Sequence, residues 1–371
     1  MAVWKGPLEN LGMNLFGNCY SGRRILITGH TGFKGSWLAY WLQQLGADVV
    51  GIALPPEQEP NHWNLLKLKI EEHQHDIRDA EGLARLVKRA RPDAIFHLAA
   101  QSLVRRSYRE PLQTWSTNVL GTAALLEACR DVDALKAVVV VTTDKCYENV
   151  EQVRGYTEND RLGGHDPYSA SKAGAELVVA SYRRSFFSQG DVPLIATARA
   201  GNVIGGGDWA EDRLIPDLAR AQASKSELEV RSPLSTRPWQ HVLEPLSGYL
   251  LLGQKLLQGN DRFAQAWNFG PDAEGNLRVV DLLELMRTVW PTLAWRQTTS
   301  AQPHEAALLQ LDIGKARREL SWCPVWTLDE GVRATAQWYE QYLSSGALLT
   351  NSQLDNYLAD AKAAGLGWAL A

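Results

Sequence analysis

The chain has 371 residues and a formal net charge of −4, with a pI near 6.1, so no basic surface recommends nucleic acid as a partner. Hydrophobic residues at 45% and charged residues at 22% suit a globular chain with one large domain and an appendage, or two lobes. No apolar run is long enough to cross a membrane, and Cys19, Cys129, Cys146 and Cys323 lack the Cys-x-x-Cys spacing of a metal or redox site, reading instead as reduced thiols of a cytoplasmic protein.

Residues 1–22 form an N-terminal leader without the basic start and apolar stretch of a secretory signal. From Arg23 the pattern alternates strand and helix, which predicts a Rossmann-type, doubly wound parallel α/β sheet over 23–200. Strand Arg24–Thr28 runs into Gly29, Gly32 and Gly35, spaced i, i+3, i+6, with Thr31, Phe33 and Lys34 between them, and a helix follows to about Leu45. Gly29 lets the turn bend, Gly32 leaves backbone open to a pyrophosphate at the helix N-terminus, and Gly35 lets helix and strand pack closely. Strand Asp48–Leu54 ends without an acid for ribose hydroxyls, so these residues do not separate NAD from NADP. A strand over Ile70–Ile77 is expected to end in Asp76 and Ile77, where a carboxylate can accept from an adenine amine.

Helix Ala80–Ala90 and strand Ala94–Leu98 come next, followed by Leu98, Ala99 and Ala100, small enough to let a cofactor cross the sheet edge, and by Gln101 and Ser102. Asn118 opens a helix to Arg130, as a cap. The apolar strand Lys136–Thr142 ends directly in Thr143, Asp144 and Lys145, and titratable groups at the end of a buried strand mark a site. Neighbours in a strand point to opposite faces, so the chain must turn after Thr142 for these to share a substrate. Helix Tyr168–Phe187 opens with Tyr168 and Lys172 on one face, where the ammonium can pull the phenol below its usual ~10 and make it a base. Strand Leu194–Ala200 completes the sheet.

After Gly201 the alternation degrades, and 201–371 reads as a smaller, mixed substrate-binding lobe, with part of 241–272 rejoining the first domain. Arg199 and Asn202 beside Gly205–Gly207, and Arg237 in Arg-Pro-Trp-Gln-His-Val, suit a second diphosphate, that of a substrate. The eight histidines form no metal motif.

Together Gly-His-Thr-Gly-Phe-Lys-Gly, Thr-Thr-Asp-Lys, Tyr-Ser-Ala-Ser-Lys, Gly-Asn-Val-Ile-Gly-Gly-Gly-Asp-Trp and Arg-Pro-Trp-Gln-His-Val resemble the nucleotide-sugar-modifying branch of the extended short-chain dehydrogenase/reductase superfamily, from about Gly22 to Tyr339. The resemblance implies 4,6-dehydration of CDP-glucose with bound NAD, giving a 4-keto-6-deoxy sugar used in deoxysugars of bacterial surface polysaccharide such as O-antigen. It implies Tyr168 as base at the 4-hydroxyl, Lys172 holding Tyr168 and the nicotinamide ribose, and Thr143 bonding the 4-hydroxyl. Asp144 would protonate the departing C6 hydroxyl, and Lys145 would take the C5 proton. NAD would lie on Gly29, Thr31, Gly32, Phe33, Lys34, Gly35, Asp76, Ile77, Leu98, Ala99, Ala100, Thr142, Tyr168 and Lys172. Substrate would meet Gln101, Ser102, Asn202, Arg213, Arg237 and His304. A homodimer or homotetramer is expected. The competing readings are a nucleotide-sugar 4-epimerase or decarboxylase, a dehydratase for another base (dTDP or GDP), and a redox-sensing binding protein without catalysis.

Overall fold

In the computed structural model, which describes residues 14–190, 192–272, 275–298 and 309–370, the alternation of the first 200 residues closes into one sheet because each apolar strand is buried on both faces. Strands β1 (Arg24–Thr28), β2 (Asp48–Ala53), β3 (Glu71–Gln74), β4 (Ala94–His97), β5 (Ala137–Val141) and β6 (Leu194–Ala200) are joined by a later strand, and all pair in parallel. β5 shows the logic: Val138 and Val140 enter the core under one layer of helices, Val139 and Val141 the core under the other. Alternation along a strand therefore feeds two separate apolar clusters.

Helix α1 (Phe33–Gln44) follows β1, the short α2 (His62–Leu66) follows β2, and α3 (Ala80–Ala90) follows β3. β3 stops at Gln74, so Asp76 and Ile77 lie in the loop beyond it, not on the strand; it is the edge strand of the sheet, its residues alternately half-buried and exposed. Helices α4 (Val104–Arg109) and α5 (Pro111–Trp115), a π-helical turn (Ser116–Leu120) and α6 (Gly121–Cys129) form the next helical layer. Asn118 thus sits inside a helical path and caps nothing. Its buried amide donates to the Gln101 carbonyl (2.9 Å) and the Ser171 hydroxyl (2.8 Å). The extra residue of the π turn is where this side chain reaches out of the helix.

Helix α7 (Pro167–Ser185) precedes β6, with Asp166 as cap and Pro167 at its first position. The lobe then uses β7 (Asn202–Ile204), α8 (Leu214–Ala223), β8 (Leu228–Val230) and β9 (Thr236–His241). Helix α9 (Leu243–Leu257) returns to pack on β5 and β6, and β10 (Ala266–Phe269) pairs with β6, giving the seven-stranded order β10-β6-β5-β4-β1-β2-β3. β11 (Asn276–Arg278), α10 (Val279–Arg287), β12 (Trp295–Gln297), α11 (Leu328–Ser345), α12 (Thr350–Ala363) and α13 (Gly367–Leu370) follow. Two small sheets, β11-β9-β7 and β12-β8, stand over the C-terminal ends of the large one. Tryptophan fills these cores: Trp37, Trp41 and Trp267 under the large sheet, Trp209, Trp239 and Trp338 in the lobe.

Residues 14–22 are packed: Phe16 stacks on Trp368 (centroids 5.0 Å apart) and the Tyr20 hydroxyl donates to the Leu250 carbonyl (2.5 Å).

Beneath the strand ends lies a buried ion pair. Arg199 donates from Nη2 to Glu176 Oε2 (2.8 Å) and from Nε to Oε1 (2.9 Å), while Thr142 and Thr197 donate to the same carboxylate. Arg199 is 3% exposed and also reaches the Tyr147 hydroxyl, so it is committed to the interior and is no diphosphate ligand. Glu176→Gln is expected to cost ~3–5 kcal/mol of stability by leaving the guanidinium buried without its charge partner. Urea denaturation measures this, and a loss under ~1 kcal/mol would mean that water reaches the pair.

Candidate active site

β1 and β4 are neighbours whose following connections leave in opposite directions, and ligands of open α/β sheets bind at the carboxyl ends of such a pair. A single long cavity lies there. It runs from the glycine turn past the ends of β4 and β5 to α8 and β8 in the lobe, and Gly32, Asp76, Ala99, Thr143, Tyr168, Asn202 and Arg237 all line it.

The three glycines of the turn are needed for three different reasons. Gly29 has φ +79°, and a Cβ there would come within 2.6 Å of the Ala99 amide nitrogen. At Gly35 a Cβ would run into the Gly29 carbonyl, so no side chain fits between helix and turn. At Gly32 the nearest atom would be the Gly29 oxygen at 3.4 Å and the rest is open cavity. Gly32 is the N-cap of α1 with no side-chain cap, and no acid occupies the first turn, so the amides there face the cavity unopposed. This cradle fits the pyrophosphate of a dinucleotide. Gly32→Ala is expected to weaken NAD binding at least tenfold while leaving the melting temperature nearly unchanged. Calorimetric titration with NAD checks it, and equal affinity would remove the turn from the site.

Beyond the turn, the Thr31 hydroxyl donates to the Leu54 carbonyl (2.8 Å) and so ties the loop to the end of β2. Asp76 is held by Arg78, whose Nε donates to both carboxylate oxygens (3.0 and 2.9 Å), and Ile77 is buried against Gly121. Leu98, Ala99 and Ala100 line the cavity between β4 and β1. Thr142 also lines it, but its hydroxyl donates to Glu176 (2.5 Å).

The chain turns directly after Thr142. Thr143 caps a short 3-10 turn, Asp144–Cys146, which swings Asp144 and Lys145 out of the strand's alternation. Asp144 is 1% exposed. Its Oδ1 accepts from the Thr143 hydroxyl (2.9 Å) and from Lys145 Nζ (3.4 Å), while Oδ2 is buried with no partner. An acceptor without a donor in that position is costly unless a ligand supplies one. Lys145 also donates to Asn202 Oδ1 (3.3 Å).

Tyr168 is held through its backbone amide, which donates to the Ser107 hydroxyl on α4 (3.1 Å). Burial pushes its phenol up to about 12, against the Thr143 hydroxyl and the Arg213 charge, which pull it down. The expectation that Lys172 lowers the phenol is corrected here. Lys172 donates instead to the Val141 carbonyl (3.2 Å), and burial takes its own ammonium down to about 8.

Substrate-side expectations divide. Arg213 bonds Asp208 (2.9 Å) and the Ser102 hydroxyl (3.1 Å) at the cavity wall, and Arg237 lies along β9 facing the same space. Gln101 lines the cavity, with its side-chain amide nitrogen donating to Leu103 O and to Thr114 Oγ1 on α5 and its oxygen accepting from the Leu103 amide. His304 lies outside the described residues. Sequence reasoning missed α4, whose Arg105 and Arg109 reach Asp212 (3.2 Å) and Glu211 (2.8 Å) across the cavity mouth. Arginines spaced along a helix carry no signal of a partner a hundred residues away.

Several known proteins are similar to this chain. A family model described as GDP-mannose 4,6 dehydratase matches residues 26–266. The CDP-glucose 4,6-dehydratase of Salmonella typhimurium is 44% identical over 351 residues, covering 92% of this chain and 98% of that one. The dTDP-glucose 4,6-dehydratase of the same organism is 29% identical, covering 85% and 92%. Among solved structures, DesIV, a dTDP-glucose 4,6-dehydratase from Streptomyces venezuelae with NAD and TYD bound, superposes with a TM-score of 0.73 at 27% identity, covering 86% of this chain and 97% of that one.

Proposed function

We infer that this chain, which belongs to the GDP-mannose 4,6 dehydratase family, converts CDP-D-glucose with NAD into CDP-4-keto-6-deoxy-D-glucose and water, as a hydro-lyase. The observation that carries the reading is the buried Asp144, one oxygen unpartnered, set beside Lys145 and the Thr143–Tyr168 pair. An epimerase needs the tyrosine and Lys172 but has no use for an acid–base pair next to them. A binding protein needs none of these groups.

NAD, when bound, would supply the hydride acceptor for C4 of the sugar and the hydride donor for C6. The chain supplies proton movements and positioning. Tyr168 takes the proton of the 4-hydroxyl, with Thr143 bonded to the same oxygen. The ketone at C4 acidifies C5–H, Lys145 takes that proton, and Asp144 gives one to the C6 oxygen as the C6–O bond breaks. Arg213 and Arg237 are the charged side chains suited to the substrate diphosphate, and Asn202 steers Lys145. The glycine cradle with Thr31, Phe33, Leu98, Ala99 and Ala100 would hold the cofactor.

The protein is incubated with NAD and CDP-, dTDP-, UDP- or GDP-glucose, and the keto-sugar chromophore is read in base. Fastest formation from CDP-glucose is expected. Faster reaction of dTDP-glucose would reassign the base, and a product retaining its C6 hydroxyl would replace dehydratase by epimerase.

We propose the cytoplasm, where NAD and nucleotide sugars are made, as the compartment, and a step upstream of deoxysugars for surface polysaccharide. No helix among the described residues is long and apolar enough to cross a membrane. For the assembly we propose a homodimer or homotetramer with an interface on the helical layer beside α7. Leu112, Trp115 and Leu120 stand exposed on the run beside α7, which itself exposes Leu177 (84%, 40%, 65% and 61%). An apolar face of this kind is covered in an assembled protein. Leu177→Glu is expected to yield monomers in sedimentation, and an unchanged mass would move the interface elsewhere.

A further inference from the structure

The loop 208–213, between β7 and α8, lines the cavity mouth, and each of its acids meets an arginine that lines the same cavity. Asp208 pairs with Arg213 (2.9 Å) and Glu211 with Arg109 (2.8 Å). Asp212 differs from both. Two guanidinium groups, Arg105 on α4 and Arg231 just after β8, donate to its single oxygen Oδ1 (3.2 and 2.8 Å). One comes from the first domain and the other from the lobe, so this one carboxylate closes a bridge across the mouth. Its backbone is left-handed, with φ +58°, a conformation that residues other than glycine seldom hold. A pair built for the interior looks otherwise in this chain: the Glu176 carboxylate is 3% exposed and shares its donors between two oxygens. The Asp212, Arg105 and Arg231 side chains are 21%, 35% and 27% exposed. Two cations on one oxygen leave positive charge in excess, which suits an oxygen of a phosphate better than a lone carboxylate.

We propose that Asp212 is a built-in stand-in for a phosphate oxygen: the diphosphate of the nucleotide sugar takes its place on Arg105 and Arg231, and the loop 208–213 lets go of α4 as the ligand enters. The proposal rests on the dehydratase reading, which brings a nucleotide sugar into the limb of the cavity that ends at α8 and β8. It adds two arginines to Arg213 and Arg237 as anion ligands. A carboxylate already tied into the chain gives up no translational freedom when it binds, so it competes well with a free anion. Molecules in which Asp212 holds the arginines are closed to the ligand, and the apparent affinity falls with the fraction that is open. The contact is also selective. A singly charged anion offers the two arginines nothing that Asp212 does not already give, whereas a diphosphate brings more charge and a second set of oxygens.

The test titrates CDP, which has the diphosphate but no sugar to react, and inorganic pyrophosphate into the NAD-saturated full chain and its variants by calorimetry. Asp212→Asn removes the charge and keeps the turn, because asparagine also accepts left-handed backbone. It is expected to bind CDP about tenfold more tightly, the gain when a closed form of about nine molecules in ten is abolished. Pyrophosphate should tighten with it, and NAD affinity should stay at the parent value. Arg231→Gln is expected to bind CDP about tenfold more weakly, the loss of one charge-assisted pair. Unchanged or weaker CDP binding by Asp212→Asn overturns the proposal, because the carboxylate then holds the arginines ready for the ligand. CDP binding by Arg231→Gln at the parent level overturns it as well. So does an equal gain toward NAD, which marks a general loosening of the cavity. If no nucleotide-glucose yields a keto sugar while Asp212→Asn still gains affinity for pyrophosphate, the dehydratase reading fails and the anion site stands.

Discussion

Tyr168→Phe is expected to lower kcat by about 10²–10⁴-fold with NAD affinity kept. The substitution removes one oxygen from a ring that is 8% exposed, and leaves the backbone anchor to Ser107 in place. Helix α7 should therefore stay where it is, and only the proton acceptor is lost. The pH dependence gives a second readout. Burial holds the phenol at about 12, above the usual ~10, so the neutral form dominates at pH 7. Activity that needs the phenolate rises with pH as the proton is lost, and the rising limb belongs to Tyr168 together with the charges around it. In Tyr168→Phe that limb should vanish. A kcat within threefold of the parent, or an unaltered pH profile, would remove Tyr168 as the base.

What could be seen in the sequence was local. The glycine turn is legible because spacing alone places three glycines at a bend, at a phosphate approach and at a helix–strand contact, and Gly29, Gly32 and Gly35 meet three different surroundings. Strand–helix alternation is equally local, and it is enough to give the parallel sheet. What failed depended on partners far along the chain. Arg199 looked available for a diphosphate beside Asn202, but Glu176 on the preceding helix neutralises it inside the protein. Gln101 follows β4 and lines the cavity, but the partners of its amide nitrogen, Leu103 O and Thr114 Oγ1, could not be read from its position in the sequence. The Tyr168–Lys172 spacing placed both side chains on one helix face, yet the ammonium found a backbone carbonyl at the end of β5. Nothing local around Lys34 says that a helix 215 residues later in the chain offers the ring of Tyr249 to its ammonium.

Asp144→Asn is expected to stop water loss while leaving the earlier steps running. The amide is nearly the same size, so the turn capped by Thr143 should hold. An amide has no acidic proton to give to the C6 oxygen, so the C6–O bond loses its acid catalyst, an effect of about 10²–10⁴-fold on product formation. Oxidation at C4 relies on Tyr168 and Thr143, and removal of the C5 proton relies on Lys145; neither group is changed. The variant should therefore exchange the C5 hydrogen of recovered CDP-glucose with solvent deuterium, with almost no keto-sugar formed. Lys145→Met should show the complementary defect: no exchange at C5 and no product. Asp144 and Lys145 share a hydrogen bond, so the two substitutions act within one unit and their effects are not expected to add. Full turnover by Asp144→Asn would transfer the acid role to another group, and loss of C5 exchange in that variant would mean that Asp144 and not Lys145 moves the C5 proton.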